Sequence, residues 1–136
     1  MTTTTKQITQ RPSEWVATYD MLLELSCHPL QRAQHFSESE QRQLLIIFED
    51  IIFQFPQQGN SKEAITVLLL AKDVDLIVRL ILWFKGYLTS LHWLAELLPN
   101  EYLKKYAQVE HIERNLMLHA KEKTNVAQND RVDDAY

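Results

Sequence analysis

Residues 37–55 have the sequence SESEQRQLLIIFEDIIFQF, which carries the strongest helix signal in the chain. The Ser37 hydroxyl can accept a hydrogen bond from the amide of Glu40, and the Glu40 carboxylate can reach back to the amide of Ser37. This reciprocal arrangement is a capping box. The apolar run that follows would also suit a buried strand, but the cap and a length of about 18 residues favour a helix. We therefore predict a helix over residues 37–55 that ends at Pro56.

Upstream of this helix the sequence predicts a tail and one further helix. Residues 1–10 are polar and rich in threonine, without the apolar core of a secretion signal, so we expect a disordered tail. Pro12 suits the first turn of a helix, where its missing N–H costs nothing. Apolar residues at helical spacing extend this helix over residues 12–27, and the step from His28 to Pro29 ends it.

Downstream, a turn at residues 57–60 leads into a third predicted helix, capped by Asn60 or Ser61. Residues 61–98 fit either one long helix or two, and we favour two with a break near Lys72 because small domains seldom hold very long helices. Pro99 ends this stretch, and a last helix reaches about residue 123. The polar residues 124–136 are expected to fray. The sequence thus predicts one all-α domain over residues 11–123, a compact bundle of about five helices.

Composition limits the classes of function. The chain has 136 residues, enough for one domain, and only two glycines, which is few for an all-β fold or a glycine-rich phosphate loop. Its net charge of −4 lacks the basic excess of most nucleic-acid-binding proteins. One cysteine excludes an internal disulfide and favours a reducing, cytoplasmic location. Charged residues interrupt the most apolar stretch, residues 74–98, so we expect neither a membrane span nor a membrane partner.

Two arrangements of reactive side chains are candidate sites of chemistry. His92 and Glu96 stand four residues apart and could share a metal ion, with His111 as a third ligand, but zinc and di-iron sites need three or four ligands. A surface pair is the simpler interpretation. Cys27 and His28 are adjacent, and adjacent residues on a helix point about 100° apart, which does not make a nucleophile–base pair. We therefore predict no metal, no cofactor, no catalytic residue and no enzyme activity.

DNA binding is the alternative function. A helix-turn-helix would place its recognition helix at residues 75–81, but leucine and isoleucine there would face the bases instead of arginine, asparagine or glutamine. The last helix carries basic residues that are interleaved with acidic ones, which is typical of a solvated face. A DNA-associated regulator of transcription or replication, acting as a helical dimer, stays open as the second hypothesis.

Apolar surface is the main argument for a protein partner. The stretch 76–84 is apolar on nearly every face, and the helix at 37–55 is apolar on two faces. Two helices cannot both be central in so small a domain, so one should leave an exposed patch, which usually marks an interface. Met117 and Leu118 also broaden the apolar stripe of the last helix. The candidate partner-binding residues are Phe53, Trp83, Trp93, Tyr102, Tyr106, Met117 and Leu118.

The sequence thus favours a small non-enzymatic helical protein that acts by binding another protein, as a regulator. Adaptor, inhibitor, antitoxin-like neutraliser and chaperone all fit this description. We also expect self-association as a homodimer, because two-fold dimers are the commonest oligomers.

Overall fold

The computed structural model describes residues 5–53 and 64–135, with side chains described as far as residue 118. Within these ranges the chain forms six helices and two short strands, and it is predominantly an all-α bundle, as predicted. In chain order the elements are β1 (Thr5–Gln10), α1 (Pro12–Ser26), α2 (Pro29–His35), α3 (Glu38–Phe53), β2 (Ile65–Leu70), α4 (Ala71–Ser90), α5 (His92–Leu97) and α6 (Pro99–Ala135).

The helices with strong local signals begin where the sequence predicts. Pro12 is the first residue of α1, which ends one residue before the predicted boundary. The capping box before α3 is confirmed: the Glu40 amide donates to the Ser37 hydroxyl over 3.1 Å, and the Ser37 amide donates to the Glu40 carboxylate over 2.9 Å. The predicted end of this helix, at residue 55, lies outside the described residues. Pro29 opens α2, a short helix that the sequence analysis missed.

The two strands correct two predictions. Residues 5–10 are not a disordered tail but form β1, and residues 65–70 are not a third helix but form β2. The strands are antiparallel, with Thr5 opposite Leu70 and Gln10 opposite Ile65. Both strands bury alternate side chains, the period of a strand. The predicted caps of the third helix, Asn60 and Ser61, lie outside the described residues, as do residues 1–4.

The second half of the chain differs from prediction in its boundaries. The break predicted near Lys72 lies one residue earlier and separates a strand from a helix, since β2 ends at Leu70 and α4 starts at Ala71. A separate short helix, α5, follows α4. The last helix begins at Pro99 and its backbone is helical to Ala135, so it extends beyond the predicted end near residue 123.

Helix α4 is the centre of the core. It packs against α1, α3, α6 and both strands, and its buried apolar side chains include Ile77, Leu80 and Ile81. Helix α3 buries only one stripe, formed by Leu44, Ile47, Phe48 and Ile51. The prediction that only one of these two apolar helices can be central is therefore confirmed. The large apolar side chains that α3 leaves exposed are Leu45, Ile46 and Phe53.

Candidate partner-binding surface

The reactive side chains singled out in the sequence lie apart from one another. His92 and Glu96 are both exposed on α5, while His111 instead contacts the carboxylate of Glu14 on α1 at 2.8 Å. Cys27 is exposed at the end of α1. Among the residues that the structure describes, no three His, Cys, Asp or Glu side chains come together in a way that could hold a metal ion.

His28 belongs to an aromatic cluster between α1 and α4. Its Nε2 lies 2.9 Å from the Glu24 carboxylate, and its ring centre lies 4.9 Å from that of Tyr87. Burial raises the pKa of the Tyr87 hydroxyl, and a hydrogen bond with Glu24 raises it further. Trp83 stacks on Tyr87 with ring centres 5.4 Å apart. These contacts hold the end of α1 against α4, and the His28 side chain is already paired with Glu24.

An apolar groove lies between α1, α2 and α3, and we call it the α1–α3 groove. It has a volume of about 360 Å³. Leucines from the two long helices contribute the apolar part: Leu23 and Leu45 are exposed, whereas Leu22 is buried. The groove exists because α1 packs on α3, while α2, which begins at Pro29 and ends shortly before α3, joins their ends. The residues lining it are Leu22, Leu23, Ser26, Arg32, Glu38, Gln41, Arg42 and Leu45.

Charged side chains surround this apolar part. Arg32 comes from the last turn of α2, and Arg42 and Glu38 come from α3. Two guanidinium groups and one carboxylate give the groove an excess of one positive charge, in a chain whose net charge is −4. Guanidinium groups bind carboxylates in a bidentate geometry. The groove therefore suits a ligand with an apolar surface and an acidic group beside it.

No protein-family model matches this chain, and neither a curated protein nor a solved structure matches it.

The seven predicted partner-binding residues do not form one surface. Phe53 is 69 % exposed at the end of α3, and Trp93 is exposed on α5. Neither lines a described pocket. Tyr102 and Tyr106 stack on each other with ring centres 6.0 Å apart and are half-buried against the core.

Trp83 is the only buried side chain among these seven residues. It is only 8 % exposed, because it stacks within the aromatic cluster, and its indole N–H donates to the Gln31 side chain over 2.8 Å. A side chain held in this way is not available as an anchor for a partner. Its position four residues before Tyr87 on α4 explains the contact, since residues three or four apart share a helix face.

Met117 and Leu118 are exposed on α6 and line a second apolar site beside Lys85. The Lys85 ammonium lies 3.0 Å from the Glu113 carboxylate and 3.5 Å from that of Glu110. The hydrogen bond to Glu113 raises the pKa of Lys85 above its usual value. Because these charges already satisfy one another, this site offers a partner mainly apolar contact.

The α1–α3 groove was missed by sequence reasoning. In the sequence, Leu23 and Leu45 each stand beside a leucine that is buried in the core, Leu22 and Leu44. A residue beside a core residue on a helix can be buried, as Phe48 is beside Ile47, or exposed, as Leu23 and Leu45 are.

Proposed function

We propose that this chain is a small non-enzymatic protein that works by binding another protein through the α1–α3 groove. The observation that carries the proposal is the exposure of Leu23 and Leu45 in one groove, with Arg32 and Arg42 beside them. Apolar grooves between helices commonly receive one face of an amphipathic helix. The two arginines favour a partner segment that carries acidic residues next to its apolar ones.

The biological role within this class is a regulator: an adaptor, an inhibitor, an antitoxin-like neutraliser or a chaperone. We further propose that it acts in the cytoplasm, as a homodimer. The single cysteine supports a reducing compartment, and the apolar side chains that α3 leaves exposed support self-association. No helix in the described ranges has both the length and the apolar character needed to cross a membrane.

DNA binding receives no comparable support. Reading bases requires an exposed polar helix face in the major groove. In the segment that would have to do so, residues 75–81, the side chains of Leu76, Ile77 and Leu80 are buried in the core. We therefore keep the protein partner as the proposed function.

Affinity capture with a matched pair of variants tests this proposal. The tagged chain is incubated with a lysate of its source cells, and the bound proteins are identified by mass spectrometry. Leu45→Asp places a charge in the groove, and we expect it to lose the partner. Leu103→Asp, at a position 62 % exposed on α6 and outside the groove, is the control and should retain the partner.

The positive charge of the groove allows a second test of the proposal. Arg42→Glu should weaken capture most at low salt, where charge complementarity acts over the longest distance. Circular dichroism confirms that each variant is folded. A partner captured equally by the wild type and by Leu45→Asp, or a partner lost equally from Leu45→Asp and Leu103→Asp, would overturn the proposal.

A further inference from the structure

The small sheet has two outer edges, of which one is covered by a helix and the other borders a cleft. An edge strand presents unpaired main-chain N–H and C=O groups that can pair with another strand. The outer edge of β1 is covered by α6, since the Asn115 side-chain amide donates to the Thr9 carbonyl over 3.0 Å. The outer edge of β2 instead opens into a cleft of about 230 Å³ whose lining includes Ile46, Asp50 and Leu68.

The register determines which main-chain groups of β2 point outward. In an antiparallel pair, opposed residues alternate between those that bond each other and those whose N–H and C=O point away. The Thr9 carbonyl is reached from α6, so Thr9 and its opposite residue Thr66 form a pair of the second kind. Their hydroxyl oxygens lie 2.8 Å apart, as expected where side chains approach most closely.

The same alternation fixes the orientation of Leu68. Leu68 lies opposite Gln7, two positions from the pair of Thr9 and Thr66, so it belongs to the same kind of pair. Its N–H and C=O therefore face the outer edge of β2. No hydrogen bond within the part of the chain that the structure describes reaches them there. The strand thus has main-chain groups at its centre that can pair with a further strand.

The side chains around this edge suit a second copy of the same strand. Residues 65–70, ITVLLL, contain no charge, proline or glycine, which are the usual means by which edge strands avoid pairing. Leu68 is 63 % exposed at the centre of the strand, and Ile46 of α3 is 56 % exposed in the same cleft. Two such uncharged strands can lie antiparallel without placing like charges opposite each other.

We propose that β2 pairs with β2 of a second copy about a two-fold axis at Leu68, which gives a four-stranded antiparallel sheet. In this register Leu68 lies opposite Leu68 of the second copy, and Thr66 lies opposite Leu70. The main-chain groups of Leu68 supply directional hydrogen bonds, while the side chains of Leu68 and Ile46 supply apolar contact. This proposal deepens the homodimer of the proposed function by giving it a surface, and it rests on that dimer; it leaves the α1–α3 groove free for the partner.

Disulfide trapping tests the register directly. The full chain carries Cys27→Ala, which removes its only cysteine, and one new cysteine at a time. Directly opposed bonded residues have Cα atoms about 5.5 Å apart, within the roughly 4.4–6.8 Å range of disulfides. Leu68→Cys should therefore form a covalent dimer under a mild oxidant. Thr66→Cys should not, because its two copies are separated by four residues along the strand, roughly 13 Å.

A mixture of Thr66→Cys and Leu70→Cys chains should cross-link, since these positions are opposed in the proposed register. Leu103→Cys, similarly exposed but on α6, measures random collisions. Cross-linking of Leu68→Cys no faster than that of Leu103→Cys, or equal cross-linking of Thr66→Cys and Leu68→Cys, would overturn the proposed pairing.

Sedimentation equilibrium separates this inference from the proposed function. The wild type and Leu103→Lys should dimerise with rising concentration, whereas Leu68→Lys should remain a folded monomer. A dimer that persists in Leu68→Lys refutes the β2 edge and leaves the homodimer standing. A wild type that is monomeric at all concentrations refutes both, while capture through the α1–α3 groove is decided by its own experiment.

Discussion

Ile46 and Ile47 give the sharpest test of the orientation of α3, because they are adjacent and chemically identical. Ile47 is 4 % exposed on the core stripe, whereas Ile46 is 56 % exposed beside β2. Truncation of a buried isoleucine to alanine removes its transfer free energy and leaves a cavity, which costs about 2–5 kcal/mol. The same change at an exposed site usually alters stability by no more than about 0.5 kcal/mol. Any effect of helix propensity is the same for both and cancels.

Urea unfolding followed by circular dichroism measures this difference, at low protein concentration so that self-association contributes little. For a loss of about 3 kcal/mol and a slope of about 2 kcal/mol per molar urea, Ile47→Ala should lower the midpoint by about 1.5 M. Ile46→Ala should leave the midpoint almost unchanged but weaken self-association. Equal midpoint shifts in the two variants, or a larger shift for Ile46→Ala, would refute the orientation of α3.

Two further predictions concern the start of α3 and its tie to α4. Ser37→Ala should lower the free energy of unfolding by about 1 kcal/mol, the usual worth of an N-cap, and Ser37→Gly by less; equal stability of wild type and Ser37→Ala in urea would contradict the cap. Arg79 bonds the Glu40 carboxylate at 2.6 Å and holds the pKa of Glu40 below its usual value of 4.5. The lowered pKa stabilises the fold above pH 4.5, and this contribution is lost as the pH falls through the folded-state pKa. Arg79→Met should therefore lower the free energy of unfolding more at pH 6 than at about pH 3, as measured by urea unfolding. The pH-dependent part of this loss should be under about 1 kcal/mol, because the ion pair is partly exposed. A loss of stability that does not change with pH would contradict this role of Arg79.

Local signals explain which parts of the fold could be predicted. The start of α1 follows from Pro12, and that of α3 from the capping box at Ser37, and each needs only four or five neighbouring residues. Strand β1 pairs with a strand about sixty residues further along the chain, so the residues next to β1 in the sequence do not reveal its partner. Its inward positions also include Lys6 and Gln10, which are both buried. Polar residues at buried positions hide the alternation by which a strand is recognised in a sequence.

The candidate surface was harder to predict than the fold. The sequence indicates excess apolar surface on α3, and Phe53 is indeed exposed. It does not indicate where the excess lies, because the α1–α3 groove depends on α2, whose seven residues carry little apolar periodicity. Large aromatic residues are common anchors of protein interfaces, yet Trp83 is buried in the core. Leu23 and Leu45 are less conspicuous in the sequence, but the structure places them together.

The geometry of α3 makes the two proposed interactions independent. Its core stripe, which includes Leu44 and Ile47, separates two flanks, because successive residues turn by 100°. Leu45 faces the α1–α3 groove on one flank, and Ile46 faces the cleft beside β2 on the other. A second copy on β2 therefore does not compete with a partner in the groove, and a change at either residue leaves the core stripe intact. Loss of the partner in Leu45→Asp and loss of the dimer in Leu68→Lys should accordingly occur separately, each in a folded protein.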